Sequence, residues 1–138
     1  MASSVSNEDT EVCLRELLRK EGYALSRRRV HGETGVDVLA TKDGEESHIE
    51  VIGYKSSPPA RAKDFYESFF RAVSRLNDGA THCVIALPAQ FGRGLHTRAA
   101  QHREAWKRIG HAFPELEIWL VDVENTKYQG TAWARWLE

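Results

Sequence analysis

A chain of 138 residues with 41% hydrophobic content and four tryptophans carries enough apolar material for one packed core. It predicts a single domain, 1–138, with residues 1–7 as a flexible N-terminal tail. Charged residues make up 28% of the chain but cancel to a formal net charge of −1, which excludes a globally basic nucleic-acid binder, so any anionic partner must meet a local patch. The opening "MASSVSNEDTEV" lacks a signal-peptide pattern and no stretch approaches the roughly 20 apolar residues of a membrane span, so a cytoplasmic protein with no membrane partner is expected.

Ser6 or Asn7 caps a first helix that runs to about Lys20, with Val12, Cys13, Leu14, Leu17 and Leu18 on one side and Gly22 as its stop. "YALSRRRV" (23–30) reads as a strand with a basic end, "HGETG" as a turn, and "VDVLATK" and "ESHIEVIGYK" as two further strands. "SSPPARAKDFYESFFRAVSRL" opens with prolines suited to a first helical turn and repeats Ala62, Phe65, Phe69, Val73 and Leu76 at helical spacing. "THCVIALP" (81–88) is apolar almost throughout, as a central strand covered on both faces would be. "FGRGLHTRAAQHREAWKRIG" predicts a single third helix with Leu95, Ala99, Trp106 and Ile109 inward, and "LEIWLVDV" a last strand. The tail from Glu124 reads as a turn and a short helix through "TAWARWLE". Cys13 and Cys83 stand apart in apolar segments and read as core thiols. Trp119, Trp133 and Trp136 have apolar neighbours and read as packing residues. The order αβββαβαβ implies an α/β fold with a mixed sheet flanked by helices.

The acids of the central hairpin need an explanation. Asp43-Gly44 is a favoured two-residue turn, and closing the hairpin there sets Asp37 directly opposite Glu50. The same register gathers Val36, Val38 and Ala40 against Val51, Ile49 and Ser47 on the other face. Like charges facing each other destabilise a hairpin unless something positive lies between them, and a divalent cation would serve. The pattern is equally that of a solvated face on a one-sided sheet, and geometry alone leaves both readings open.

"TEVCLRELLRKEGYAL", "GVDVLA" and "HIEVIGYK" together resemble the catalytic domain of Mrr-type restriction endonucleases, within the PD-(D/E)xK nuclease superfamily. The resemblance is clearest over 10–55 and continues through "THCVIALP" and "LEIWLVD". It implies a restriction-endonuclease-like core, Asp37 and Glu50 as ligands of Mg²⁺ (or Mn²⁺), and Glu11 as the first-helix acid. It also implies hydrolysis of DNA phosphodiester bonds, the metal polarising the phosphoryl oxygen and acidifying a water. The family's lysine, two residues beyond the second acid, is here Ile52. Lys55 and Lys63 are the candidates for a displaced lysine, because the job needs a cation with movable donors near the developing charge.

Positive charge for DNA phosphates is offered by Arg27, Arg28 and Arg29, and by Arg98, Arg103 and Lys107 on the third helix. An ordinary solvated face explains either run as well. Three readings follow: a metal-dependent nuclease, a catalytically degenerate nuclease-fold domain that binds DNA or a protein partner without cutting, and an interaction module that keeps only the fold. An exposed tail would also support a homodimer.

Overall fold

The computed structural model describes residues 4–30 and 35–138, so most of the turn expected at "HGETG" lies outside the described residues. Helix α1 (Asn7–Lys20) starts where Ser6 Oγ accepts the Asp9 N–H at 3.0 Å, with Glu8 and Asp9 in the first turn against the helix dipole. It stops because Gly22, at φ +94°, lets the Gly22 and Tyr23 N–H groups bond back to Arg19 and Leu18, a Schellman closure. Leu14 and Leu18 are wholly buried, whereas Val12, expected on the inner side, faces solvent.

Six strands form one sheet in sequence order. β1 (Ala24–Leu25), β2 (Val38–Lys42) and β3 (Glu45–Val51) are antiparallel; β4 (Cys83–Pro88) and β5 (Leu116–Asp122) run parallel to β3; β6 (Lys127–Ala132) returns antiparallel along the edge. The hairpin register is the expected one, Val38 facing Ile49 and Ala40 facing Ser47, and Asp43 and Gly44 both take the positive φ that such a turn demands. β4 is buried at every position, as its unbroken apolar run requires. On one face α1 covers Val38, Ile49, Val84 and Val121. On the other, α2 (Pro58–Ser74), α3 (Gly92–Gln101) and α4 (Arg103–Ala112) cover Ile85, Leu87 and Ile118.

Four expectations are corrected. The strand at 23–30 is only two residues long, because side chains take over at Ser26: its N–H still bonds the Leu39 carbonyl, but its own carbonyl goes to Arg15 and its Oγ, not a backbone carbonyl, accepts the Leu39 N–H. The third helix is two, broken at His102 (φ −117°, ψ 41°), which lets α4 turn Trp106 into the core. The tail contains a full strand, β6, whose exposed pattern hides it from hydrophobic periodicity, and it ends in a 3₁₀ turn over Trp133–Leu137. The segment expected as a loose tail is in part tied down, since Val5 exchanges backbone hydrogen bonds with Tyr54 and Asn7 Oδ1 accepts the Gly53 N–H.

Both cysteines are buried free thiols, and Trp119, Trp133 and Trp136 all lie inside. Trp106 and Trp133 stack with ring centroids 3.9 Å apart, and each indole N–H donates to the other residue's backbone carbonyl (2.8 and 2.9 Å), locking the C-terminal turn onto α4.

Gly53, two residues past the end of β3, is where the N-terminal segment packs against the chain. A Cβ there would lie 2.2 Å from the Val5 carbonyl oxygen and 2.7 Å from the Asn7 nitrogen, both backbone atoms that cannot swing away. Gly53→Ala is therefore expected to destabilise the fold by about 1–3 kcal/mol, lowering the melting temperature by several degrees in a thermal denaturation scan. An unchanged melting temperature would show that the contact is loose.

Candidate functional site

The hydrophobic alternation of β3 buries Ile49 and Val51 against α1 and therefore turns Glu50 to the opposite face, under the end of α2. Glu50 is only 3% exposed. Asp37, one residue before β2, meets it: Glu50 Oε2 accepts the Asp37 N–H at 3.3 Å, and Asp37 Oδ2 accepts the Val51 N–H at 2.9 Å. Each carboxylate thus binds the opposite segment's backbone where the ladder ends, Glu50 the Asp37 N–H and Asp37 the Val51 N–H. Burial is the main reason the Glu50 carboxyl is pushed up to about 7, with the neighbouring Asp37 charge adding to it. The Asp37 N–H, Arg75 and Arg29 pull the other way.

Arginines surround the pair. The Arg29 guanidinium donates to Asp37 Oδ1. Arg15, 2% exposed on α1, donates to the Asp37 carbonyl (3.1 Å), the Ser26 carbonyl (2.6 Å) and Glu11 Oε2 (2.7 Å). One buried side chain therefore joins the first helix, the end of β1 and the first acid of the pair. Its role was missed in the sequence because a lone arginine inside an amphipathic helix reads as a solvated face; its only signal is its place among Cys13, Leu14 and Leu18. Glu11 is bound by Arg15 and, at 3.4 Å, by Arg28. It stands one guanidinium away from Asp37's backbone.

The lysine candidates are placed elsewhere. Lys55 Nζ is 3.0 Å from Asp64 and Lys63 Nζ is 3.8 Å from Glu67, both carboxylates on α2. Ile52, at the position where the resemblance calls for lysine, is buried beside Phe65 in the main core. Among the contacts described for the acid pair, the cations are guanidiniums.

The arginines of the basic run at 26–29 are exposed but partnered, Arg28 with Glu8 and Glu11, Arg29 with Asp37, and Arg27 with the Arg28 carbonyl. Arg98 lies over the Phe65 and Tyr66 rings, its guanidinium 5.6 and 5.1 Å from their centroids. Arg103 and Lys107 are exposed on α4. The structure thus gathers Asp37, Glu50, Glu11, Arg28 and Arg29 at one end of the hairpin and sets Arg98, Arg103 and Lys107 apart on α3 and α4.

The donor set fits a hard divalent cation. Two candidate oxygen donors meet at the end of the β2–β3 hairpin, and one of them is held partly protonated mainly by burial and then by the neighbouring Asp37 charge, which a cation would offset. Among the described residues no group of three metal-ligating side chains converges, so water and substrate oxygens would complete the shell, the usual arrangement for Mg²⁺.

A family model described as restriction endonuclease, covering the Mrr-type catalytic domain, matches residues 2–110. No curated protein and no solved structure matches the chain. No helix among the described residues is long and apolar enough to cross a membrane.

The Glu50 carboxyl keeps its proton to about pH 7 in the fold but only to its ordinary 4.5 when unfolded. The native state therefore binds more protons between these values, and stability falls by about 3 kcal/mol as pH rises through that window. In chelator, urea unfolding should show wild type losing roughly 2–3 kcal/mol relative to Glu50→Gln between about pH 5 and pH 8. Parallel pH profiles for the two proteins would mean that Glu50 is ionised throughout.

Proposed function

The chain belongs to the Mrr-type restriction endonuclease catalytic-domain family, and on that premise we propose that it hydrolyses DNA phosphodiester bonds in a metal-dependent reaction centred on Asp37 and Glu50. The observation that carries this reading is the placement of those two carboxylates side by side at the end of the hairpin, the buried Glu50 on the Asp37 N–H and Asp37 on the neighbouring Val51 N–H. A bound Mg²⁺ or Mn²⁺ supplies the Lewis acidity that polarises a phosphoryl oxygen and acidifies a water.

The chain's own residues set the stage for that chemistry. Asp37 and Glu50 hold the cation, Arg15 fixes the backbone from which Asp37 projects, and Glu11 keeps Arg15 in place. Arg29, already against Asp37, is placed to offset the negative charge of an incoming phosphate. A guanidinium does not give up its proton, so Arg29 can stabilise charge but cannot shuttle protons. Lys55 or Lys63 would have to leave its α2 carboxylate to take up the family lysine's work. Phosphates of the bound DNA would run along Arg98, Arg103 and Lys107, with Arg27, Arg28 and Arg29 at the hairpin end. A homodimer would find its apolar contact in Tyr66 and Phe70, one turn apart on α2 and 48% and 69% exposed.

Ile52 favours a second reading, a domain that binds DNA or a protein partner without cutting. Its side chain is core, so the lysine's position has been converted to packing.

Supercoiled plasmid incubated with the protein and Mg²⁺ or Mn²⁺ should be nicked or linearised. Chelator should stop the reaction, and Asp37→Ala should slow it by about 10²-fold or more. Salt-sensitive binding without cleavage would establish the second reading. The absence of both cutting and binding would remove the DNA-acting readings and leave a protein-interaction module.

A further inference from the structure

The helix layer that covers the α2 side of the sheet contains two adjoining hollows that share one side chain, Arg98. The first, about 690 Å³, runs past the end of β4 and is lined by polar and cationic groups, among them Arg93, Thr97, Arg98 and Gln101. Tyr54, four residues beyond Glu50 in the chain, forms its near wall. The second, about 310 Å³, sinks between α2 and α4, and its walls are Phe65, Tyr66, Phe69, Trp106 and Trp133. Arg98 stands at the junction, its guanidinium on the Phe65 and Tyr66 rings and hydrogen-bonded to the Tyr66 hydroxyl.

The aromatic hollow is rigid and oriented. Phe65 lies nearly parallel to Trp106 (2°) and to Trp133 (13°), and the two tryptophans are clamped by their reciprocal indole hydrogen bonds. These three rings are only 1–3% exposed and pack on one another as the floor of the hollow, so the aromatic surface open to a planar occupant is that of Tyr66, 48% exposed. The size sits at the lower edge of small-ligand pockets. The mouth selects the occupant by charge, since a neutral aromatic ligand has no use for the cationic groove beside it, whereas an anionic chain that carries flat rings uses both.

We propose that the two hollows together bind one nucleotide of an unpaired strand, its phosphates along Arg93 and Arg98 and its base in the aromatic hollow between α2 and α4. This rests on the nucleic-acid reading above and adds strand preference to it. A paired base is stacked within its duplex and reaches the hollow only after extrusion, which costs energy, so single strands and unpaired positions bind in preference.

The test uses the full chain in chelator, with fluorescence anisotropy on three labelled DNAs: a single strand with natural bases, a strand of the same length whose backbone carries no bases, and a duplex. Ala105 lines the hollow from its exposed side, so Ala105→Trp fills the space without touching the core, and Ala105→Leu is the smaller filler should the first variant fold poorly by circular dichroism. The natural strand is expected to bind about tenfold or more tighter than the base-free strand and the duplex. The filled variant should lose that advantage and keep wild-type affinity for the base-free strand. Equal binding of the natural and base-free strands overturns the proposal while leaving the nucleic-acid reading intact. An advantage that survives filling of the hollow overturns it as well. Binding to none of the three DNAs overturns both. Self-association that Ala105→Trp abolishes, with no base dependence, assigns the hollow to a second copy of this chain instead.

Discussion

A carboxylate buried beside another carboxylate is the constraint to which this fold answers. Glu50 is taken out of water by the same alternation that buries Ile49 and Val51, and the hairpin register brings Asp37 to it. Neither acid can be moved without cost. A one-residue slip would drive one of them into the apolar face and expose the valines and isoleucine that hold α1 to the sheet. Packing energy that has nothing to do with catalysis thus keeps two like charges in contact, and the surroundings respond with arginines. Arg29 meets Asp37 directly, Arg75 lowers the electrostatic cost at Glu50, and Arg15 binds the backbone beneath.

These arginines give the site a character different from the lysine-bearing pattern of its family. An ammonium beside a metal centre can adjust its proton affinity and swing between a water and a phosphate, whereas guanidiniums bring permanent charge and fixed forks. Ile52, just past β3, is committed to the core cluster that includes Phe65. The pair of acids is surrounded by guanidiniums, groups that hold charge rather than pass protons.

Much of the architecture was readable in the residues because each element carries a local reason. The Asp43-Gly44 turn, the capping Ser6, the stop at Gly22 and the unbroken apolar run of β4 each specify one conformation. What escaped shares a cause: its determinants are distant in the chain. β6 exists because β5 offers an edge and Gly130 leaves room for the Trp119 ring, since a Cβ there would lie 2.7 Å from it. The split at His102 and the burial of Arg15 likewise follow from partners far along the sequence. For the site, the pairing of Asp37 with Glu50 was legible from turn chemistry and alternation, while the ion pairs of Arg28 and Arg29 with Glu11 and Asp37 were not, because a basic run carries no record of which acids will meet it.

The interlocked indoles of Trp106 and Trp133 bear on where this domain ends. The family match stops at residue 110, yet β4 takes its second neighbour from β5, and α4 is clasped by the turn that follows β6. A border drawn by kinship would cut through the middle of the sheet and strip the partner from a stacked ring. Ancestry and folding therefore have different edges in this chain, and the last 28 residues, silent in the comparison, are as much part of the nuclease-like body as the motif itself.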